Sequence, residues 1–359
     1  MSKTDHLTPS PKKKDYSAIK FQVSEALGEW MNCLFLKWDN SGNCHYEFIH
    51  HANGDGASSY TKMLENEGST VPTVPTQKKN LKASFIRKIF LLRKFLKKTK
   101  AVSIHWSRPR KDTTGIPSSF FTLRLSVHQT ELLNRLCKER KMGLNSLLLW
   151  GLDQATSSLL LTENSERKWV CPINMRVYQN QRYGNHSASI IVNAVDPADR
   201  IRPQFFQDEI RSFLKSGLHW GSQIYSNMAR YIGFKGTLFM AKRIKELGTG
   251  VFSNMGEWPG ADVLLSEKSE QITHRIFVTP STQVLPVAAG ALTWKGALTL
   301  SLQLHPSLQR TDREVKELFQ LWWENIQKPL GTPIESPIEI EKAKWESFAE
   351  APRHLIIDT

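Results

Sequence analysis

The sequence predicts an α/β protein built as two layered αβ lobes. Its 359 residues can bury a large core, and a chain of this length usually divides into two domains or lobes. Apolar residues make up 40% of the chain, which is typical of a globular protein. Strand-like and helix-like segments alternate, with long connections between the strands, and this order favours helices layered on sheets.

The first part of the chain is predicted to contain a tail, a hairpin and several helices. Residues 1–17 are polar and Lys-rich, which indicates a flexible tail. Ser126 and Gln129 have the spacing of a capping box, and Asn145 is the predicted N-cap of a long helix. The other predicted segments are a short helix or edge strand at 21–28, hairpin strands at 31–38 and 45–50, a helix at 57–64, a Pro-containing linker at 70–77, a basic helix at 78–100, a polar loop at 107–119 and a strand at 120–125.

Strands dominate the second part. They are predicted at residues 169–173, 187–195, 250–253, 275–280 and 297–304, and helices at 203–216, 222–246 and 311–324. The predicted organisation is an N-terminal lobe at 18–165, a C-terminal lobe at 166–345 and a tail at 346–359.

The segment His50-His51-Ala52-Asn53-Gly54-Asp55-Gly56 is the most informative in the chain. It follows a strand-like run and precedes helix-compatible sequence, so a histidine would stand at a strand-to-helix turn. Neutral imidazole can accept a proton near physiological pH without a metal. Adjacent residues of a strand point to opposite faces, so only one of the two histidines can face a given pocket. A turn with two unremarkable histidines is the alternative interpretation.

HHANGDG resembles the HHxxxDG signature of the chloramphenicol acetyltransferase-like superfamily. That superfamily includes condensation domains of nonribosomal peptide synthetases, polyketide-associated acyltransferases and wax ester synthase/diacylglycerol acyltransferases. Later segments follow in an order similar to that of the superfamily, over roughly residues 45–327. They are the helices between 126 and 155, Pro172-Ile173-Asn174-Met175-Arg176, Tyr183-Gly184-Asn185 and Ser253-Asn254-Met255-Gly256.

The resemblance implies roles for individual residues. His51, the second histidine of the motif, would be the general base that takes a proton from an acceptor as it attacks a thioester carbonyl. His50 would be structural, Asp55 would order the loop, and Gly56 would permit close packing. Ser253 and Asn254 match a segment that lines the tunnel in wax ester synthase-like members, where they would stabilise an oxyanion; a buried Ser-Asn turn is the alternative.

The sequence departs from the family pattern in two ways, one that concerns the fold and one that concerns the site. Only 49 residues precede His50, so the resemblance implies a shortened first lobe, or one that another chain completes. Relatives pair the motif aspartate with an arginine, often from the early part of the chain, but this sequence has no arginine before Arg87. A partner of Asp55 must therefore come from downstream, with Arg176 as the first expectation, or a lysine must replace the arginine.

The expected activity is transfer of an acyl group from a CoA or carrier-protein thioester to a hydroxyl or amine. The thioester would be a co-substrate, and no resident cofactor is expected. The expected partners are acyl-CoA or an acyl carrier protein, with a hydroxyl or amine acceptor. Two alternatives stay open: a condensation-type enzyme that joins carrier-bound groups, and a non-catalytic scaffold that keeps the fold.

The positive charge of the chain, formally +14, is concentrated in one stretch. Between Glu67 and Asp112 there are thirteen Lys and Arg and no acidic residue. Within residues 78–100, helical spacing predicts one apolar stripe with a mostly basic opposite face, formed by Leu81, Phe85, Ile89, Leu92 and Leu96. Three interpretations are open: a helix packed on the core, a helix lying on anionic membrane, and a docking site for an acidic partner such as a carrier protein.

Other features narrow the function class. The four cysteines are scattered without metal-type spacing, which predicts reduced thiols and a cytoplasmic protein, peripheral to a membrane if the basic helix binds lipid. No apolar run reaches the length of a membrane span. No metal site is expected, because the adjacent histidines diverge and no second ligand cluster accompanies them. Nucleic acid is not an expected partner, since no recognised motif accompanies the charge.

Overall fold

A computed structural model of the protein describes residues 18–29, 31–50, 55–72, 85–100, 102–113, 115–175, 187–244, 246–260, 262–331, 334 and 340–344. The described part confirms the mixed α/β fold. Its helices are α1 (Ala18–Ala26), α2 (Gly56–Asn66), α3 (Phe85–Lys98), α4 (Val127–Glu139), α5 (Leu144–Leu160), α6 (Pro203–Lys215), α7 (Leu218–Ala241), α8 (Glu267–Glu270) and α9 (Asp312–Gln327). Its strands are β1 (Asn32–Asp39), β2 (Cys44–His50), β3 (Ser119–Arg124), β4 (Arg167–Asn174), β5 (Ser187–Ala194), β6 (Gly250–Trp258), β7 (Ile272–Val278), β8 (Val287–Trp294), β9 (Ala297–Leu304) and β10 (Ile340–Lys344).

The strands form two sheets. A three-stranded sheet has the order β2-β1-β7, and both of its strand pairs are antiparallel. A seven-stranded sheet has the order β10-β3-β9-β8-β6-β4-β5, in which β6 runs parallel to both β4 and β8. The smaller sheet thus combines a hairpin from the start of the chain with a strand that lies more than 220 residues later.

Side chains of β9 join the two sheets. Thr299, Ser301 and Gln303 donate hydrogen bonds of 3.0, 2.7 and 2.6 Å to the main-chain carbonyls of Arg275 and Phe277 in β7 and of Thr279 directly after it. The residues alternate on both strands, so one face of β9 points at β7 along its length. This contact fixes the position of the smaller sheet on the larger one.

Alternation along the strands also separates the two main cores. Ala289 and Ala291 of β8 belong to a large core between the seven-stranded sheet and the helices α4, α5, α6 and α9. Leu292 and Trp294 of β8 belong to a smaller core with β1, β7 and α2. The large core draws residues from both sides of position 165, and the predicted lobe boundary there stays a prediction.

Several element predictions need correction. Ser126 and Gln129 form the predicted capping box, but α5 begins at Leu144 with Gly143 as its N-cap, so the prediction of Asn145 as N-cap is wrong. The strands β8 and β10 were not predicted. All residues of β8 except Thr293 are buried, and its sequence, Val-Ala-Ala-Gly-Ala-Leu-Thr-Trp, shows no alternation of apolar and polar residues.

The buried face of the basic helix also differs from the prediction. The helix α3 buries Leu91 and Phe95, while Ile89 and Leu96 of the predicted stripe are exposed. Leu81 lies outside the described residues. The physical reason lies in α7: Gly221 leaves room for the backbone at Leu91 and for Phe95, because a side chain there would collide with both. At the C-terminal end of α3, Lys168 donates to the carbonyls of Thr99 and Lys100 at 3.0 and 2.7 Å.

Two bulk predictions can be compared with the described part. None of its helices is both long and apolar enough to cross a bilayer. All four cysteines are free thiols, three of them buried and Cys44 exposed. The cellular compartment stays a prediction.

Candidate active site

The β1–β2 hairpin delivers His50 to the start of the motif. Asp39 orders the hairpin turn by accepting hydrogen bonds from the main-chain N–H groups of Ser41 and Asn43, both at 2.9 Å. The strand β2 ends at His50, whose Nε2 lies 2.8 Å from Oε1 of Glu25 in α1. The imidazole of His50 is therefore held against the first helix. His51, the predicted base, lies outside the described residues.

Asp55 resumes the chain on the other side of the motif as the N-cap of α2. Its carboxylate accepts a 2.9 Å hydrogen bond from the main-chain N–H of Ser58, which satisfies one unpaired donor at the helix start. The side chain is buried close to Cys33, and burial together with the negative charge of Asp55 raises the pKa of the Cys33 thiol to about 12. His50 and Asp55, each with a defined contact, thus stand before and after residues 51–54 in the chain.

Gly56 brings the motif against a distant segment of the chain. A Cβ atom at position 56 would lie 2.7 Å from Sδ of Met255, so the absence of a side chain permits close contact. Met255 belongs to Ser253-Asn254-Met255-Gly256, which forms part of β6. The structure therefore brings together two of the segments that the sequence singles out, although about 200 residues separate them.

The Ser253–Gly256 segment has an irregular backbone. Ser253 is buried opposite Gly290 of β8, and the register of the β6–β8 pair shifts between Asn254 and Glu257. Gly256 has a φ of +78° at this shift, a backbone conformation that favours glycine. The amide of Asn254 supports the bend by accepting a 2.8 Å hydrogen bond from the N–H of Gly256.

Asn145 is a site residue whose role the sequence did not reveal. Its side-chain oxygen accepts a hydrogen bond from the amide nitrogen of Asn254, so the start of α5 is joined to β6. No local sequence signal indicates this contact, because an Asn near a helix start is usually explained as a cap. Because Gly143 takes the cap position, the Asn145 side chain is available for Asn254.

The remaining predictions concern charge partners and metals. Arg176, the expected partner of Asp55, lies outside the described residues. Arg275 of β7 is buried and pairs with Glu67 at the end of α2, and its guanidinium lies 4.4 Å from the ring centroid of Trp294. Within the described ranges no group of three or more His, Cys, Asp or Glu side chains could hold a metal ion.

No protein-family model matches the sequence, and no curated protein matches it either. Solved structures do match. The trichothecene 15-O-acetyltransferase of Fusarium sporotrichioides superposes with a TM-score of 0.51 at 14% identity, over 71% of this chain and 55% of that one. Polyketide synthase associated protein 5 of Mycobacterium tuberculosis gives 0.50 at 15% identity, over 80% and 74%. The cyclization-docking bidomain of the Sorangium cellulosum nonribosomal peptide synthetase EpoB gives 0.52 at 12% identity, over 80% and 60%.

These likenesses show the fold. The chain shares the overall fold of these matched structures, which agrees with the two-lobed αβ fold that the resemblance implied. It spans about half to three quarters of the length of these matched structures. By their names, the matched proteins are an O-acetyltransferase, a polyketide synthase associated protein and a cyclization-docking bidomain of a peptide synthetase.

Proposed function

We propose that the protein transfers an acyl group from a CoA or carrier-protein thioester to a hydroxyl or amine, with His51 as general base. The observation that carries the proposal is the contact between Gly56 and Met255, because it joins HHxxxDG to the Ser253–Gly256 segment. In an acyl transfer, the base must stand beside groups that stabilise the tetrahedral oxyanion. Ser253 and Asn254 are the proposed oxyanion or tunnel groups.

Described residues with defined contacts stand on either side of His51 in the sequence. His50 is anchored through Glu25 on one side, and Asp55 fixes the start of α2 on the other. Alternation along a strand predicts opposite faces for adjacent residues, and together with the second position in the motif it is the reason that His51 and not His50 is the proposed base. The base removes the acceptor proton as the oxygen or nitrogen attacks the thioester carbonyl. The tetrahedral intermediate then collapses with departure of the thiolate, which takes up a proton.

The cationic character of the chain fits either donor. Coenzyme A carries phosphates, and carrier proteins are commonly acidic, so a basic rim would attract both. Arg176 is the proposed partner of Asp55. The condensation-type reaction differs from simple acyl transfer only in that both groups arrive on carriers, and no contact of the described residues favours it.

Thiol release tests the proposal. The wild-type protein is mixed with a panel of short- and long-chain acyl-CoAs and with alcohol or amine acceptors, and free thiol is followed with time. We expect acceptor-dependent release that His51→Ala lowers by about 10²–10⁴-fold, the usual contribution of a general base. His45→Ala is the matched control, because His45 is a histidine of β2 with a largely exposed side chain.

The control should keep the wild-type rate. Release that His51→Ala leaves unchanged would refute the role of His51. If the wild-type protein releases no thiol from any acyl-CoA, nor from acyl groups loaded on a carrier protein, the scaffold interpretation replaces the enzyme.

A further inference from the structure

The second half of α7 and the three residues after it, 231–244, form an apolar and basic segment that is largely exposed. The helix α7 is broken at Gly233, which has φ +65° and ψ −177°. None of residues 231–244 is buried, whereas the comparable helix α9 buries seven side chains. A helix on the surface of a globular protein normally buries its apolar stripe. The exposed apolar residues of this segment are Tyr231, Ile232, Phe234, Phe239, Met240 and Ile244, and we call them the α7 surface.

The size and exposure of these side chains distinguish them from ordinary surface residues. Tyr231 is 82% exposed and Phe239 is 58% exposed. Single exposed apolar residues are common and need no explanation, but six within fourteen residues mark an interaction site.

The charge around this surface has one sign. Between Glu209 and Glu246 the chain has no acidic residue and seven Lys and Arg. Lys235, Lys242 and Arg243 lie within the segment and are exposed. The guanidinium of Arg243 stands 4.0 Å from the ring centroid of Phe239, so cationic and aromatic groups occupy the same part of the surface. An occupant of this surface must therefore accept apolar side chains and carry negative charge.

The helix α3 has the same combination of exposed apolar side chains and neighbouring basic side chains. It packs on the first half of α7 through Leu91 and Phe95, and it turns Ile86 and Phe90 outward at 78% and 54% exposure. The ammonium of Lys94 lies 4.6 Å from the ring centroid of Phe90. Two packed helices thus both expose aromatic and aliphatic side chains beside lysine and arginine.

We propose that the α7 surface, assisted by the outer face of α3, docks the protein on an anionic lipid surface. Helices that lie in a membrane interface have this composition, with aromatic and aliphatic side chains that enter the headgroup region and cations that bind acidic headgroups. An acidic protein would satisfy the cations, but it would not by itself account for so many protruding apolar side chains. This inference is independent of the acyl-transfer chemistry.

Vesicle sedimentation of the full chain tests the proposal. We expect binding to vesicles of mixed phosphatidylcholine and phosphatidylserine, little binding to phosphatidylcholine alone, and weaker binding as salt increases. Phe239→Asp with Met240→Asp should lower the apparent partition coefficient at least about tenfold. Lys242→Glu with Arg243→Glu should lower it about tenfold or more, and Ile86→Asp with Phe90→Asp should also weaken binding.

A matched control makes the same chemical change elsewhere. Ile116 and Leu264 are exposed apolar residues outside both helices, so Ile116→Asp with Leu264→Asp should bind vesicles like the wild type. The proposal is overturned if the wild type does not bind anionic vesicles at low salt. It is also overturned if the variant with Phe239→Asp and Met240→Asp binds them as well as the wild type does. Binding to an acyl carrier protein through the same residues, with no vesicle binding, would overturn it in favour of an acidic protein partner.

Discussion

At the scale of single residues, Asn254 is the residue on which two parts of the candidate site depend. Its amide nitrogen donates to Asn145 at the start of α5, and its oxygen accepts from the N–H of Gly256 at the bend of β6. One side chain therefore holds both the bend beside Gly56 and the connection to α5. The sequence singled out Asn254 by its motif, but it gave Asn145 a capping role, because a hydrogen bond between residues 109 positions apart leaves no local pattern.

Replacing Asn254 tests this dependence. In Asn254→Ala the N–H of Gly256 loses its acceptor, and we expect the free energy of unfolding to fall by about 1–2 kcal/mol. We also expect kcat/KM for acyl transfer to fall at least about tenfold, since the proposed oxyanion groups shift. Denaturant unfolding and thiol release measure the two effects. Asn66→Ala, at the exposed end of α2, is the control and should change neither. An Asn254→Ala variant with wild-type activity would remove Asn254 from the site.

At the scale of secondary-structure elements, a buried cluster of charges holds α2 to the smaller sheet. Glu67 follows the last turn of α2 and pairs with Arg275 of β7 and, at 2.6 Å, with Lys37 of β1. Ser269 donates a further 2.6 Å hydrogen bond to Glu67. Burial by itself raises the pKa of the Glu67 carboxyl, but the hydrogen bonds and charge of Arg275, together with Lys37, outweigh it, and the pKa lies below its usual range.

The direction of this shift predicts a pH-dependent loss of stability. A carboxyl whose pKa is lowered by folding stabilises the folded state above its unfolded pKa, about 4.3, and this contribution disappears as the pH falls through the folded pKa. Glu67→Gln should therefore lower the free energy of unfolding by about 3 kcal/mol at pH 7, because Arg275 keeps a buried charge without its partner. The difference between variant and wild type should shrink below about pH 4.

Denaturant unfolding across this pH range measures the effect. The control is Glu317→Gln, which removes an exposed pair with Arg313 and should leave stability nearly unchanged at every pH. A difference between Glu67→Gln and wild type that stays constant from pH 7 to pH 3 would contradict the assigned role of the charge.

The elements also show where prediction from sequence fails. Helix α3 was predicted because its apolar residues recur with helical spacing, but they cover more than one face, and the pattern could not choose between them. Gly221 of α7 determines which face is buried, because it leaves room for Leu91 and Phe95, and it lies about 130 positions away in the sequence. Strand β8 was not predicted because its two buried faces carry mostly apolar residues. Its sequence therefore lacks the alternation of apolar and polar residues by which strands are recognised.

At the scale of the whole molecule, the fold followed from the order of its motifs, while the arrangement of the site did not. HHxxxDG and the Ser253–Gly256 segment were both identified in the sequence, and each is only a short pattern. Their contact depends on how β7 lies against β9 and carries the β1–β2 hairpin with it. The β1–β7 pairing joins residues more than 200 positions apart, so no local signal encodes it.

Chemical rescue of His51→Ala tests the central claim most directly. If His51 is the base, removing its imidazole leaves a site that still binds both substrates, and free imidazole can enter and accept the proton. We predict that His51→Ala releases thiol from acyl-CoA at least about 10²-fold more slowly than wild type. Added imidazole should restore a measurable part of the acceptor-dependent rate, while His45→Ala should need no rescue. Wild-type activity of His51→Ala without imidazole would contradict the claim.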